Sequence, residues 1–107
     1  RSGRHARILG SIMDELAEIR EQIDRIDARI ARLFEERMEA CGRIGRIKKE
    51  KGLQVLDEGR EAEVLKSRSG YVGAQMLPYW EEVLATLMKV SKDYQWNLRE
   101  NCPSRKK

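Results

Sequence analysis

Apolar side chains in the first half of the chain recur in alternate steps of three and four: Leu16, Ile19, Ile23, Ile26, Ile30 and Leu33. An α-helix turns once in ~3.6 residues, so these positions form one stripe along one long helix. The next step falls on Arg37. The stripe then resumes at Ala40, Ile44 and Ile47, with Lys48 beside it. This pattern predicts a first helix from about Ser11 to about Lys51. Ser11 and Asp14 resemble an N-terminal cap, and Gly52 supplies the stop. Roughly 40 residues rising 1.5 Å each reach ~60 Å, about twice the width of a small domain. A chain of this size cannot cover such a stripe by itself, so the helix calls for a partner chain.

The rest of the chain alternates breakers with further helical pattern. Gly52 to Leu56 is a loop, and Asp57 is the expected N-cap of a second helix ending near Ser67. Ser69, Gly70 and Gly73 mark a flexible connector. A third helix begins near Pro78, a residue suited to a first turn. Its apolar face holds Trp80, Val83, Leu84, Leu87 and Met88, and Ser91 and Gln95 continue that face. Beyond Trp96 the pattern turns polar and the helix is expected to fray. The predicted fold class is all-α: three helices, the first very long and in need of a partner chain. Residues 1–10 read as an N-terminal extension or a cloning remnant, 11–96 as the helical domain and 97–107 as a polar basic tail.

Composition narrows the function. The 107 residues are enough for one domain with a modest core. Charged residues make up 37% of the chain against 40% apolar, which suits long exposed helices. The net charge of +4 comes from bases interleaved with acids, plus the tail Ser104-Arg105-Lys106-Lys107. Nucleic-acid binding calls for a one-sided basic face with stacking aromatics, and this chain offers neither. A small anionic ligand fits the charge pattern as well. No apolar run approaches the ~20 residues of a membrane span, so no membrane partner is expected. Cys41 and Cys102 lack ligand spacing and read as reduced thiols in a cytoplasmic protein, Cys41 as a small core residue. His5 is the only histidine, so no metal site is expected.

Several side chains carry candidate chemistry. A cation on a buried stripe is costly unless an anion meets it. Arg37 and Lys48 lie 11 residues apart, about three turns, so both point the same way with ~16 Å between their backbones. They can grip the two ends of a small dianion. A register-setting polar residue of a coiled coil, or a pair with a partner's glutamate, remains an equal reading. Glu36 and Glu39 face elsewhere. Arg20 shares the face of Lys48 but is ~25 Å along the axis from Arg37, so the two can share one ligand only if Arg20 comes from an antiparallel second chain. Otherwise Arg20 is a solvated surface arginine. Asp57, Arg60 and Glu61 open the second helix. Capping and the helix dipole explain the acids but not Arg60, which is disfavoured there unless an anion faces it. Ser91 and Gln95 put a hydroxyl and an amide on a buried side, where the amide needs partners. Met88 and Trp80 read as core. Cations and neutral donors converge without metal ligands or a nucleophile–base pair, which suits a reaction driven by shape and charge complementarity.

In this order the residues resemble the all-helical class of chorismate mutases. The motifs are Arg20-Glu21-Gln22-Ile23-Asp24, Glu35-Glu36-Arg37, Ile44-Gly45-Arg46-Ile47-Lys48, Asp57-Glu58-Gly59-Arg60-Glu61, and Ser91 with Gln95. The resemblance covers about 80 residues and eight positions in order. It implies an intertwined homodimer of all-α chains with two sites and a substrate that is a small dicarboxylate, rearranged from chorismate to prephenate with no cofactor. Arg20 would cross from the other subunit to a substrate carboxylate, Arg37 would bind a carboxylate with Arg60 nearby, and Lys48 and Gln95 would donate to the ether oxygen. Asp57, Glu61 and Ser91 would complete the polar lining. Lys92 stands where the family pattern has an apolar residue. The same scaffold and cations are shared by an isochorismate pyruvate-lyase. A regulatory domain cut from a fused enzyme and a structural coiled-coil dimer are further alternatives, the last leaving Arg60, Ser91 and Gln95 unexplained.

Overall fold

The computed structural model describes the backbone of residues 2–100 and the side chains of residues 6–99. The side chain of His5, the thiol of Cys102 and the basic tail lie outside the described residues. Helix α1 spans Ser2–Glu50, α2 spans Glu58–Arg68, and α3 spans Leu77–Glu100. A single turn of 3-10 helix, Ser69–Tyr71, links α2 to α3. Every regular element among the described residues is helical, as the pattern predicts.

The chain divides into two units, residues 1–36 and 37–107. The first is helix alone. Its stripe, from Leu16 to Leu33, lies open to solvent, Leu16 at 37% exposure and Leu33 at 61%. The Ser11 cap is not formed, because the helix runs back through Gly10 to Ser2. Ile8, Leu9, Ile12 and Met13 carry the apolar spacing upstream, and one interior glycine costs only ~1 kcal/mol.

The second unit packs the end of α1, α2 and α3 together. Gly52 stops α1 with a φ of +70°, the left-handed conformation that glycine adopts at no steric cost. The amide of Leu53 donates to the carbonyl of Lys48 and that of Gly52 to Lys49, which satisfies two orphan carbonyls of the last turn. Asp57 caps α2 by accepting the backbone N–H of Arg60 at 3.0 Å. The expected flexible connector is instead ordered locally: Trp80 Nε1 donates to the carbonyl of Arg68 at 2.9 Å, tying the end of α2 to the start of α3. Helix α3 also persists past Trp96, and Arg99 Nη2 donates to the carbonyl of Leu53 at 2.6 Å. That cross-connection stabilises a stretch whose polarity predicts fraying. The buried apolar side chains among the described residues are Val64 and Leu84, while Val83, expected on the inner face, is half exposed.

Candidate active site

The end of α1 together with α2 and α3 lines an open cavity of about 170 Å³. Seven of the eight candidate residues line it: Arg37, Lys48, Asp57, Arg60, Glu61, Ser91 and Gln95. Arg20, exposed in the first unit, does not line it. The sequence places these seven on three separate elements, and packing brings them to one space.

Helix α1 supplies both basic ends. Arg37 Nη1 donates to Ser91 Oγ at 2.5 Å, and Ser91 in turn donates to the carbonyl of Leu87 at 2.6 Å. Lys48 Nζ donates to the carbonyl of Val55 at 2.8 Å. Both cations therefore rest on neutral oxygens, with no carboxylate in ion-pair range among the described residues. An ammonium has three donors, so Lys48 retains capacity for a ligand once Val55 has aimed it. Cys41 is not a core residue. It is half-buried in the cavity wall, 3.9 Å from Arg37 Nη1, because it lies one turn after Arg37 on the same face. Met88, read as core, also lines the cavity, whereas Trp80 does not.

Helix α2 contributes a face spaced by three and four: Asp57, Arg60 and Glu61, Val64 and Arg68. Arg60 does meet an anion, Glu63 Oε1 at 2.7 Å, with both side chains more than half exposed. Such a pair is worth little. Glu61 Oε2 pairs with Lys92 Nζ at 2.7 Å across the α2–α3 contact. Lys92 and Arg68 are wall residues outside the eight. The stripe through Asp57, Glu61 and Val64 extends to Arg68 by its spacing, so that signal was present in the sequence. For Lys92 the signal is its place beside Ser91, one turn from Met88 and Gln95 on the same side of the helix.

Helix α3 brings Ser91 and Gln95, both more than nine-tenths buried. The Gln95 amide makes no hydrogen bond with the described residues, although it faces the cavity, so it is available to a ligand. Its position depends on Gly45. A Cβ built on Gly45 would lie 3.1 Å from Gln95 Cγ and 3.3 Å from its Cβ. Gly45→Ala is therefore expected to push the amide by a few tenths of an ångström and to lower kcat about tenfold with KM little changed. Gly42→Ala, which meets the movable tips of Tyr94 and Leu98, should have the smaller effect. Steady-state kinetics of the two variants side by side test this. Equal rates would show that the Gly45 approach does not set the amide.

The cavity therefore offers Arg37 and Lys48 resting on neutral oxygens, the idle amide of Gln95 and the carboxylates of Asp57 and Glu61. The profile of chorismate mutase type II matches residues 19–96, which include all eight candidate positions. The chain belongs to this family. A 3-dehydroquinate dehydratase of Pyrobaculum aerophilum is 41% identical over 51 residues, 48% of this chain and 17% of that protein. The bifunctional chorismate mutase/prephenate dehydratase of Aquifex aeolicus is 44% identical over 54 residues, 50% of this chain and 15% of that protein. The T-protein of Haemophilus influenzae is 33% identical over 58 residues, 54% of this chain and 15% of that protein. The chain thus matches less than a fifth of the length of each of these relatives. No solved structure matches it. No helix among the described residues is long and apolar enough to cross a membrane. The chorismate mutase type II membership makes the second-unit cavity the candidate active site.

Proposed function

We propose that the chain is a chorismate mutase that rearranges chorismate to prephenate and works as a homodimer. The observation that carries this reading is the convergence of Arg37, Lys48, Ser91 and Gln95 on one cavity, with the two cations resting on neutral oxygens. A dicarboxylate with a breaking ether bond needs such an arrangement. Its rearrangement forms a C–C bond as the ether C–O bond breaks within one molecule, so no group leaves and no proton is transferred. Arg37 holds a carboxylate and fixes the compact conformer, which is an orientation effect. Negative charge develops on the ether oxygen as the bond breaks. Lys48 and Gln95 donate to that oxygen where burial makes each donor count for more than in water. Asp57, Arg60 and Glu61 complete the polar wall toward the substrate hydroxyl and carboxylate.

The exposed stripe from Leu16 to Leu33 supports the dimer, since a second antiparallel copy buries it. Arg20 of that copy then reaches a substrate carboxylate in the cavity of the first. The deciding experiment follows the loss of chorismate absorbance with purified protein, with isochorismate in a parallel assay. Turnover of chorismate to prephenate supports the reading. Release of pyruvate from isochorismate alone, or no turnover of either, overturns it.

Gln95→Glu should move activity toward acid. An amide donates at any ordinary pH, whereas a carboxyl donates only while protonated, and an ionised one repels the ether oxygen. An ordinary glutamate ionises near pH ~4.3, so the variant's rate should fall as pH rises through its carboxyl pKa. A pH–rate profile identical to that of the parent would remove Gln95 from the ether-oxygen site.

A further inference from the structure

Arg68 stands outside the eight family positions, yet it lines the same cavity. It lies 7 residues past Glu61 on the stripe that faces the cavity, two turns or ~10 Å along α2. Its Nη1 donates to the neutral Ser67 Oγ at 2.9 Å, and its guanidinium carbon lies 5.8 Å from the Tyr71 ring centroid. No carboxylate among the described residues is in ion-pair range of it. The other wall cations outside α1 differ, since Arg60 is paired with Glu63 and Lys92 with Glu61.

The contacts along α3 show which end Arg68 occupies. Gln95 meets Gly45, one turn before Lys48. Four residues back along α3, Ser91 meets Arg37, and further back still Trp80 meets the carbonyl of Arg68. Arg68 therefore lies on the Arg37 side of the cavity, away from Lys48. Its backbone carbonyl is held by the Trp80 bond and the residue is half-buried, while its guanidinium rests on Ser67 in an exposed hydrogen bond that a carboxylate can replace. An unneutralised guanidinium so placed presents a planar fork that matches a carboxylate.

We propose that Arg68 is a substrate-binding residue that takes a carboxylate of the dianionic ligand at the Arg37 end of the cavity. This inference rests on the chorismate mutase reading above. It adds a cation to Arg37, Lys48, Arg60 and the second copy's Arg20, and places it on this chain's own α2. It makes the Arg37 end of the cavity selective for a carboxylate over its neutral ester.

The test compares the parent chain with Arg68→Met, which keeps the apolar stem, and Arg68→Lys, which keeps the charge without the fork. Loss of a charge-assisted hydrogen bond to a carboxylate corresponds to roughly a 10- to 100-fold rise in KM for Arg68→Met. The fall in kcat/KM should come from KM, with kcat nearly unchanged, and Arg68→Lys should lie between Arg68→Met and the parent. A rigid cyclic dicarboxylate and its monomethyl ester serve as competitive inhibitors. The parent should prefer the diacid, and that preference should shrink in Arg68→Met. A structural role would weaken both inhibitors alike. Unchanged KM in both variants overturns the proposal, as does a KM rise that comes with loss of the oligomer by mass measurement, which would assign Arg68 to an interface. If Arg68→Met does not fold, Arg68→Lys decides alone through the diacid preference. Failure of the parent chain to turn over chorismate strikes the functional reading itself, whereas an active parent with indifferent Arg68 variants strikes only this inference.

Discussion

Lys48→Ala lowers kcat by about a hundredfold to a thousandfold while the fold survives. The expected loss is that of one preorganised donor to a developing oxyanion, roughly 3–4 kcal/mol. Lys48 is suited to that role because its ammonium is aimed by the Val55 carbonyl and neutralised by no carboxylate among the described residues. The fold survives because the lost bond to Val55 frees one carbonyl of a loop that water can reach. Arg37→Ala should be comparably damaging, since it removes the carboxylate anchor. It leaves no stranded hydroxyl, because Ser91 still donates to the Leu87 carbonyl. A half-buried cation without a carboxylate partner contributes little stability, so thermal denaturation of Arg37→Ala should occur no earlier than that of the parent. Steady-state chorismate consumption and melting curves on the same preparations test both variants. Near-parental turnover in either would detach that residue from the chemistry.

Mixed dimers should recover activity that neither parent variant has. In the proposed dimer each site takes Arg37 from one copy and Arg20 from the other, and a two-fold axis makes the two sites equivalent. Arg20→Ala and Arg37→Ala homodimers are each expected to be nearly inactive, because every site lacks one arginine. Unfolded together and refolded as an equal mixture, half of the dimers carry one of each chain. Such a heterodimer has one site with both lesions and one site with neither, so the mixture should reach about a quarter of parental activity. Mass measurement confirms that heterodimers have formed. If they have and activity does not return, both arginines act within one chain or Arg20 is a solvated surface residue. Either outcome would reject the shared site without touching the Arg37 and Lys48 assignments.

Local periodicity determined the helices. The alternation of three and four from Leu16 to Leu33, the Gly52 stop and the Asp57 cap are all short-range signals, decided by sterics and hydrogen bonds within a few residues of each position. The sequence also carried the pairing of Arg37 with Lys48 on one face, since both lie on one helix. Two boundaries escaped it. Apolar spacing upstream of Ser11 outweighed a capping pattern, and the end of α3 was held by an Arg99 bond to a loop 46 residues away. The site itself was partly legible, because family motifs marked eight positions, but its walls were not. Whether Cys41 faces a core or a cavity, and that Lys92 pairs with Glu61, depend on how α2 and α3 dock against the end of α1. Such contacts join residues far apart in the chain, and no periodicity within one helix encodes the distance to another. The close approach of Gln95 to Gly45 is of the same kind: the glycine is visible in the sequence, but the side chain that needs its missing Cβ is known only from the packed helices.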